Sequence, residues 1–152
     1  MREEIKIRKA KIGDENAILG LIKELALFEK APEQVVNTAE QLKIDLFTDK
    51  ICDALILEKE NNTIGFALYF TSYSTWKGRA LYLEDFYIQP AYRQFGYGSI
   101  LFDEVVKIAK ERKVRRMDWQ VLDWNENAIK FYQKKGAILD PEWINGRLFF
   151  DY

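Results

Sequence analysis

One junction constrains this chain more than any other. Leu81-Tyr82-Leu83-Glu84-Asp85-Phe86-Tyr87-Ile88 reads as a mostly apolar strand, and Gln89-Pro90 stops it. A basic glycine loop follows, Arg93-Gln94-Phe95-Gly96-Tyr97-Gly98, and Ser99-Ile100-Leu101-Phe102 then begins a helical spacing. A strand, a glycine loop and a helix start place unpaired backbone N–H groups at the positive end of a helix dipole. Glycine lets that backbone come close to a ligand, so the junction suits an anion such as a pyrophosphate. The plainer reading of the residues is a tight turn that happens to need glycine.

Two better-known phosphate loops do not fit. A P-loop needs G-x-x-x-x-G-K-S/T, which is absent. A dinucleotide fingerprint needs a third glycine where Leu101 stands, and it starts directly after its strand, whereas Gln89 to Arg93 intervene here.

The composition narrows the chemistry further. The chain has 152 residues, 48% hydrophobic and 31% charged, which suits one folded domain over residues 1–152. Lys+Arg number 23 against 24 Asp+Glu, so bulk charge favours neither nucleic acid nor an anionic membrane. No apolar run reaches transmembrane length and Met1-Arg2-Glu3-Glu4 does not open a signal peptide. The single cysteine, Cys52, suits a reducing cytoplasm and reads as a small apolar filler. There is no histidine, which removes Ser-His-Asp and Cys-His machinery and argues against a bound metal. Acid–base work falls to Glu, Asp, Tyr, Lys or water.

Along the chain, Ile5 and Ile7 alternate as a first strand, and Gly13-Asp14 opens a helix carrying Ile18, Leu21, Ile22, Leu25 and Phe28. Thr38 and Gln41 fit a capping box before a short helix with Leu42, Ile44, Leu46 and Phe47. Ala54–Leu57 and Ile64–Tyr73 read as strands joined by a turn at Asn61-Asn62. A helix through Ile100, Leu101, Val105, Ile108 and Ala109 follows the loop, then a strand over Met117–Val121. Another helix runs from Asn125 or Glu126 to Lys135, closed by Gly136. Ala137–Leu139 and Arg147–Phe150 are final strand candidates. The order β-α-α-β-β-β-α-β-α-β-β predicts an α/β fold, a central mixed sheet with helices on both faces.

Arg93, Gly96 and Gly98 fill the pattern Q/R-x-x-G-x-G/A, which resembles the acetyl-CoA signature of the GNAT N-acetyltransferases. Two further stretches resemble the diamine (spermidine/spermine) and thialysine N-acetyltransferases within that family. They are Leu81–Phe86 and Trp124-Asn125-Glu126-Asn127-Ala128-Ile129-Lys130-Phe131-Tyr132, the latter ending at Gly136-Ala137. A weaker match covers Leu21–Ala26 with Phe28-Glu29. The resemblance implies a sheet whose strands splay apart beside the loop to admit acetyl-CoA. Phe86, Tyr87 and Ile88 would offer backbone groups to the pantetheine. Arg93, Gln94, Phe95, Gly96, Tyr97, Gly98 and Ser99 would cradle the pyrophosphate, and Asn125 and Ala128 would flank the pantetheine arm. It also implies a homodimer, a small-molecule amine as acceptor, and direct attack in a ternary complex.

Three places would carry the acceptor chemistry. Tyr132, which on spacing alone is a core aromatic on the face of Ala128, Phe131 and Lys135, resembles the family's general acid toward the leaving thiolate. Proton transfer from a phenol of pKa about 10 to a thiolate near 8.5 is uphill by roughly 2 kcal/mol, so a hydrogen bond at the transition state fits better than early full transfer. Glu84 is read as facing the cleft, where it would attract the ammonium and help deprotonate it through water. An alkylamine is neutral in only about one molecule in a thousand at pH 7.4, so a base has work to do. Asp85, next to it, points the other way by strand alternation, and is read as a pocket acid or a structural ion pair. Phe28-Glu29 would line the amine pocket, or be a core ring and a solvated acid.

Two departures point away from long polyamines and toward a short thialysine-like or diamine-like amine. Aligning on Gly136 and Arg147 puts Ile144 where polyamine-selective relatives carry an acid, with Glu142 two residues off, and the chain stops at Tyr152. The alternatives are a protein lysine or N-terminal acetyltransferase, and a noncatalytic acetyl-CoA-binding module.

Overall fold

The computed structural model describes residues 4–152. The chain divides into two compact units, one up to Gln120 and one from Val121.

The first unit is built on a five-stranded sheet in the order β1 (Ile5–Lys9), β2 (Asp53–Lys59), β3 (Asn62–Ser74), β4 (Gly78–Ile88) and β5 (Arg116–Asp118). The first four pair antiparallel and β5 joins β4 in parallel, which makes the sheet mixed. The β2–β3 turn works because Glu60 and Asn61 both take left-handed backbone (φ 51° and 68°), the requirement of a tight hairpin that follows the strand twist.

Helices cover both faces. α1 (Glu15–Phe28) and the short α2 (Ala39–Lys43) set Ile18, Leu21, Leu42 and Leu46 against Ala54, Ile56, Phe66, Leu68 and Tyr87. α2 begins at Thr38, whose hydroxyl accepts from Gln41 N–H at 3.1 Å, whereas the Gln41 side chain turns to Asp45. Only half of the expected capping box forms, and the helix widens over Ile44–Thr48. α3 (Tyr97–Glu111) packs on β3 and β4 from the opposite face. Tyr87 joins the α1 cluster while its neighbour Phe86 meets Phe102 of α3 edge to face at 5.8 Å, as strand alternation requires.

Arg8 ties the sheet to the start of α1. Its guanidinium donates to both Asp14 carboxylate oxygens (2.7 and 2.9 Å) and, through Nε, to Glu58 (2.7 Å). Those bonds, with one from Lys11 N–H, hold the Asp14 carboxyl below the usual range.

One irregularity matters for function. Leu68 pairs with Asp85 and Tyr69 with Leu83, so Glu84 is an extra residue and β4 bulges there. Strict alternation, which predicted that Glu84 and Asp85 point apart, does not govern this spot.

The second unit contains α4 (Glu126–Lys134), capped at the start by Asn125 and closed by Gly136 at φ 86°. The strands expected over 137–139 and 147–150 do not form. Strand propensity expresses a fit to a pleated, half-buried surface, and Ile138, Leu148, Phe149 and Phe150 are exposed.

Candidate active site

The β4–β5 ladder ends at Tyr82 opposite Asp118, while β4 continues to Ile88. Beyond Tyr82 that edge of β4 has no β5 ladder, because β5 itself ends at Asp118, short of the Val121 that its apolar run predicts. Gln89 N–H donates to Ile64 O at 2.9 Å, in register with Gly65–Ile88 and Phe66–Tyr87. Because antiparallel residues alternate in the edge they address, Tyr87 turns its backbone toward β3, and Phe86 and Ile88 turn theirs toward the open edge. The Ile88 carbonyl fits that assignment, since it accepts Arg93 Nε at 2.8 Å.

The glycine loop leaves Ile88 through a tight turn over Pro90–Tyr92. Gln94 (φ 70°) and Gly96 (φ 82°) are left-handed, and Gly96 caps α3. The helix therefore starts at Tyr97, two residues earlier than its spacing suggests. The Ile100 N–H makes the first helical bond, to Gly96 O at 3.2 Å, so the N–H groups of Tyr97, Gly98 and Ser99 precede the helical ladder. Gly98 is helical, and a Cβ there would meet only Phe86 Cζ at 3.9 Å and Ile88 Cγ1 at 4.0 Å. The protein does not itself need glycine at 98. A bare helix turn beside the open edge fits a phosphate group approaching the backbone.

Around the loop, the Lys59 ammonium lies 5.4 to 5.9 Å from the ring centres of Tyr92, Phe95 and Tyr97, and Phe95 stacks with Tyr97. This buttress was not anticipated; aromatic residues at 92, 95 and 97 beside a hairpin-end lysine were its signal.

On the α1 face, Asp85 sits opposite Leu68 and is half-buried. Burial first, then the nearby Glu84 and Glu29 carboxylates, push its carboxyl up to about 7. Glu29, at the C-terminal cap of α1, is also raised by burial, and Glu84 itself is exposed. The structure thus places the Glu29 and Glu84 charges near Asp85, whose carboxyl is the one they and burial raise. Phe28 is half-exposed, with the Arg93 guanidinium over its ring at 5.5 Å. Glu24 accepts from the Tyr87 hydroxyl (3.3 Å) and from Gln89 Nε2 (3.1 Å). Glu24 lies in the Leu21–Ala26 stretch, one helical turn before Phe28, and its role shows only in the fold. Cys52 is inert by comparison, its thiol pushed up to about 11 by burial.

In the second unit, Tyr132 is buried and meets Phe131 edge to face at 5.4 Å. Asn125 Oδ1 accepts from Ala128 N–H at 3.3 Å, so both residues form the start of α4.

An open strand edge thus lies beside a glycine-capped helix. The acetyltransferase (GNAT) family model matches residues 21–137, and the chain belongs to that family of acetyltransferases. It is 39% identical over 142 residues to the thialysine N-epsilon-acetyltransferase of Bos taurus, covering 88% of this chain and 84% of that protein. It is 36% identical over 140 residues to the spermidine/spermine N(1)-acetyltransferase-like protein 1 of Homo sapiens, covering 87% of this chain and 20% of that protein. The fold also matches an aminoglycoside N-acetyltransferase in complex with CoA, with a TM-score of 0.80, 18% identity and 97% of each chain covered. Among the described residues, no helix is long and apolar enough to cross a membrane.

Proposed function

We propose that this acetyltransferase moves the acetyl group of acetyl-CoA to a primary amine of a small molecule, a thialysine-like or short diamine-like compound. It would work as one catalytic domain over residues 1–152, as a cytoplasmic homodimer. The observation that carries the acceptor reading is Asp85, a carboxyl raised to about 7 beside Glu84 and Glu29. Such a cluster attracts an alkylammonium and holds a group able to take its proton at neutral pH. The likeness to the thialysine enzyme supports a short acceptor, and exposed Leu148, Phe149 and Phe150 support association of two copies through the C-terminal segment.

Acetyl-CoA supplies the activated thioester. Its pyrophosphate is assigned to the backbone of Gln94–Ser99 and its arm to the outward groups of Phe86 and Ile88; the family resemblance adds Asn125 and Ala128, at the start of α4, to the donor residues. Of Phe86 and Tyr87, the Phe86 N–H suits the oxyanion, because the Tyr87 backbone is committed to β3. Glu84 and Asp85 receive the ammonium and accept its proton directly or through water. Tyr132 donates a hydrogen bond to the departing sulfur.

An amine panel with acetyl-CoA, read by thiol release and by mass spectrometry, tests this. We expect turnover of short primary amines. Acetyl-CoA binding without thiol release toward any amine would indicate a noncatalytic module, and activity on peptides alone a protein acetyltransferase. Tyr132→Phe should lower kcat about 10²-fold with CoA affinity within about twofold of the parent. Unchanged kcat removes Tyr132 from this role.

A further inference from the structure

The basic residue of the glycine loop does not reach toward the helix start. Arg93 Nε donates to the Ile88 carbonyl at 2.8 Å, and its guanidinium lies 5.5 Å from the Phe28 ring centre and 5.4 Å from that of Tyr87. The Tyr87 hydroxyl donates to Glu24, and Gln89 Nε2 donates to both Glu24 carboxylate oxygens at 3.1 and 3.4 Å. Two turns of α1, at Glu24 and Phe28, are thereby fastened to the end of β4 and to the loop that follows it. Phe28 and Glu29 are adjacent at the end of α1, and the Glu29 charge adds to the rise of the Asp85 carboxyl. Arg93 therefore touches the donor side at Ile88 and the acceptor side at Phe28.

We propose that Arg93 is a positioning residue that sets the acceptor wall, Phe28 and Glu29, against the donor edge of β4, and is not a ligand of the phosphates. The proposal rests on the amine-acetylation reading above. A planar guanidinium can hold a carbonyl edgewise while offering its faces to two rings, and an ammonium cannot. Charge alone therefore does not restore the arrangement, which separates it from phosphate binding, where a lysine serves as a point charge.

The test compares Arg93→Lys and Arg93→Gln with the parent. Calorimetry gives the CoA Kd at two salt concentrations, and kinetics with an amine from the panel gives acceptor KM and kcat. We expect the CoA Kd to change less than about threefold with an unaltered salt slope. Acceptor KM should rise at least about tenfold in both variants, with Lys giving no rescue. Phe28→Leu should raise acceptor KM similarly, and the double variant with Arg93→Lys should be no worse than either alone. A CoA Kd weakened tenfold or more, with a shallower salt slope and recovery in Arg93→Lys, would make Arg93 a phosphate ligand and overturn the proposal. An unchanged acceptor KM, or additive effects of the two substitutions, would overturn it as well. Should the parent bind CoA but acetylate no amine, the functional reading fails, and Arg93 is still decided by CoA affinity and by thermal unfolding. Non-additive Tm shifts for Phe28→Leu and Arg93→Lys would support the latch, and additive shifts would overturn it.

Discussion

The glycine loop and the acid face of β4 are made of different material. At the loop, the groups proposed to hold the donor are backbone N–H groups at the start of α3, and the side chains around them, Tyr92, Phe95, Tyr97 and Lys59, brace one another. On the α1 face the groups proposed to receive the amine are carboxylates, Glu29, Glu84 and Asp85, and their placement depends on a bulge and on burial. Backbone groups are the same in every sequence that adopts the turn, so the loop defines a donor and little else. Carboxylates can be moved, removed or neutralised one at a time, so the acid face is where one acceptor is told from another.

Two substitutions separate the walls, and a third is their control. The largest effect is expected from Gly98→Val, which fills the space over the first turn of α3. A Cβ there meets the protein only at 3.9 and 4.0 Å, so the fold should survive while CoA affinity falls about 10²-fold or more by calorimetry. Retained affinity would detach the loop from the donor. Asp85→Asn attacks the other wall. Turnover should drop about tenfold or more, and the rise in rate with pH through about 7 should vanish from the pH profile. The same change should stabilise the protein at pH 8 by roughly 1 kcal/mol in denaturant unfolding. The sign follows from linkage: the folded carboxyl binds its proton more tightly than the unfolded one, so this group's contribution to stability declines as pH rises toward about 7. Loss of activity without loss of the pH dependence would assign the base to another group.

The smallest effect on the site, and the control, is Arg8→Ala. It leaves Asp14 and Glu58, with side chains 12% and 16% exposed, without their shared cation, and should cost about 2–3 kcal/mol of stability. CoA affinity and acceptor KM should not change below the melting range. In the parent, the stability from Asp14 is present above its unfolded pKa and is lost as pH falls through its depressed folded value.

Much of this architecture is legible in the sequence where a local rule dictates it. Gly96 and Gly136 mark left-handed caps, Thr38 starts α2, and the alternation of apolar residues finds β2, β3 and β4. The loop could be read because its chemistry is local to six residues. Glu24 and the seating of Arg93 could not, since each depends on partners more than 60 residues apart in the chain. The two final strands failed for a related reason: Arg147–Phe150 has the composition of a strand, but a strand also needs a neighbour.

The bulge at Glu84 has a consequence for how β4 is compared with any other chain. Leu83, opposite Tyr69 and its Arg112 partner, belongs to the α3 side, whereas Asp85 and Tyr87, two and four residues later, belong to the α1 side. Odd-numbered positions thus exchange roles with even-numbered ones across a single residue, a phase slip in an otherwise two-beat strand. An alignment displaced by one residue at that point would hand positions of the α1 face to the α3 face, and a swap of acidic residues designed on strict periodicity would land on the wrong face.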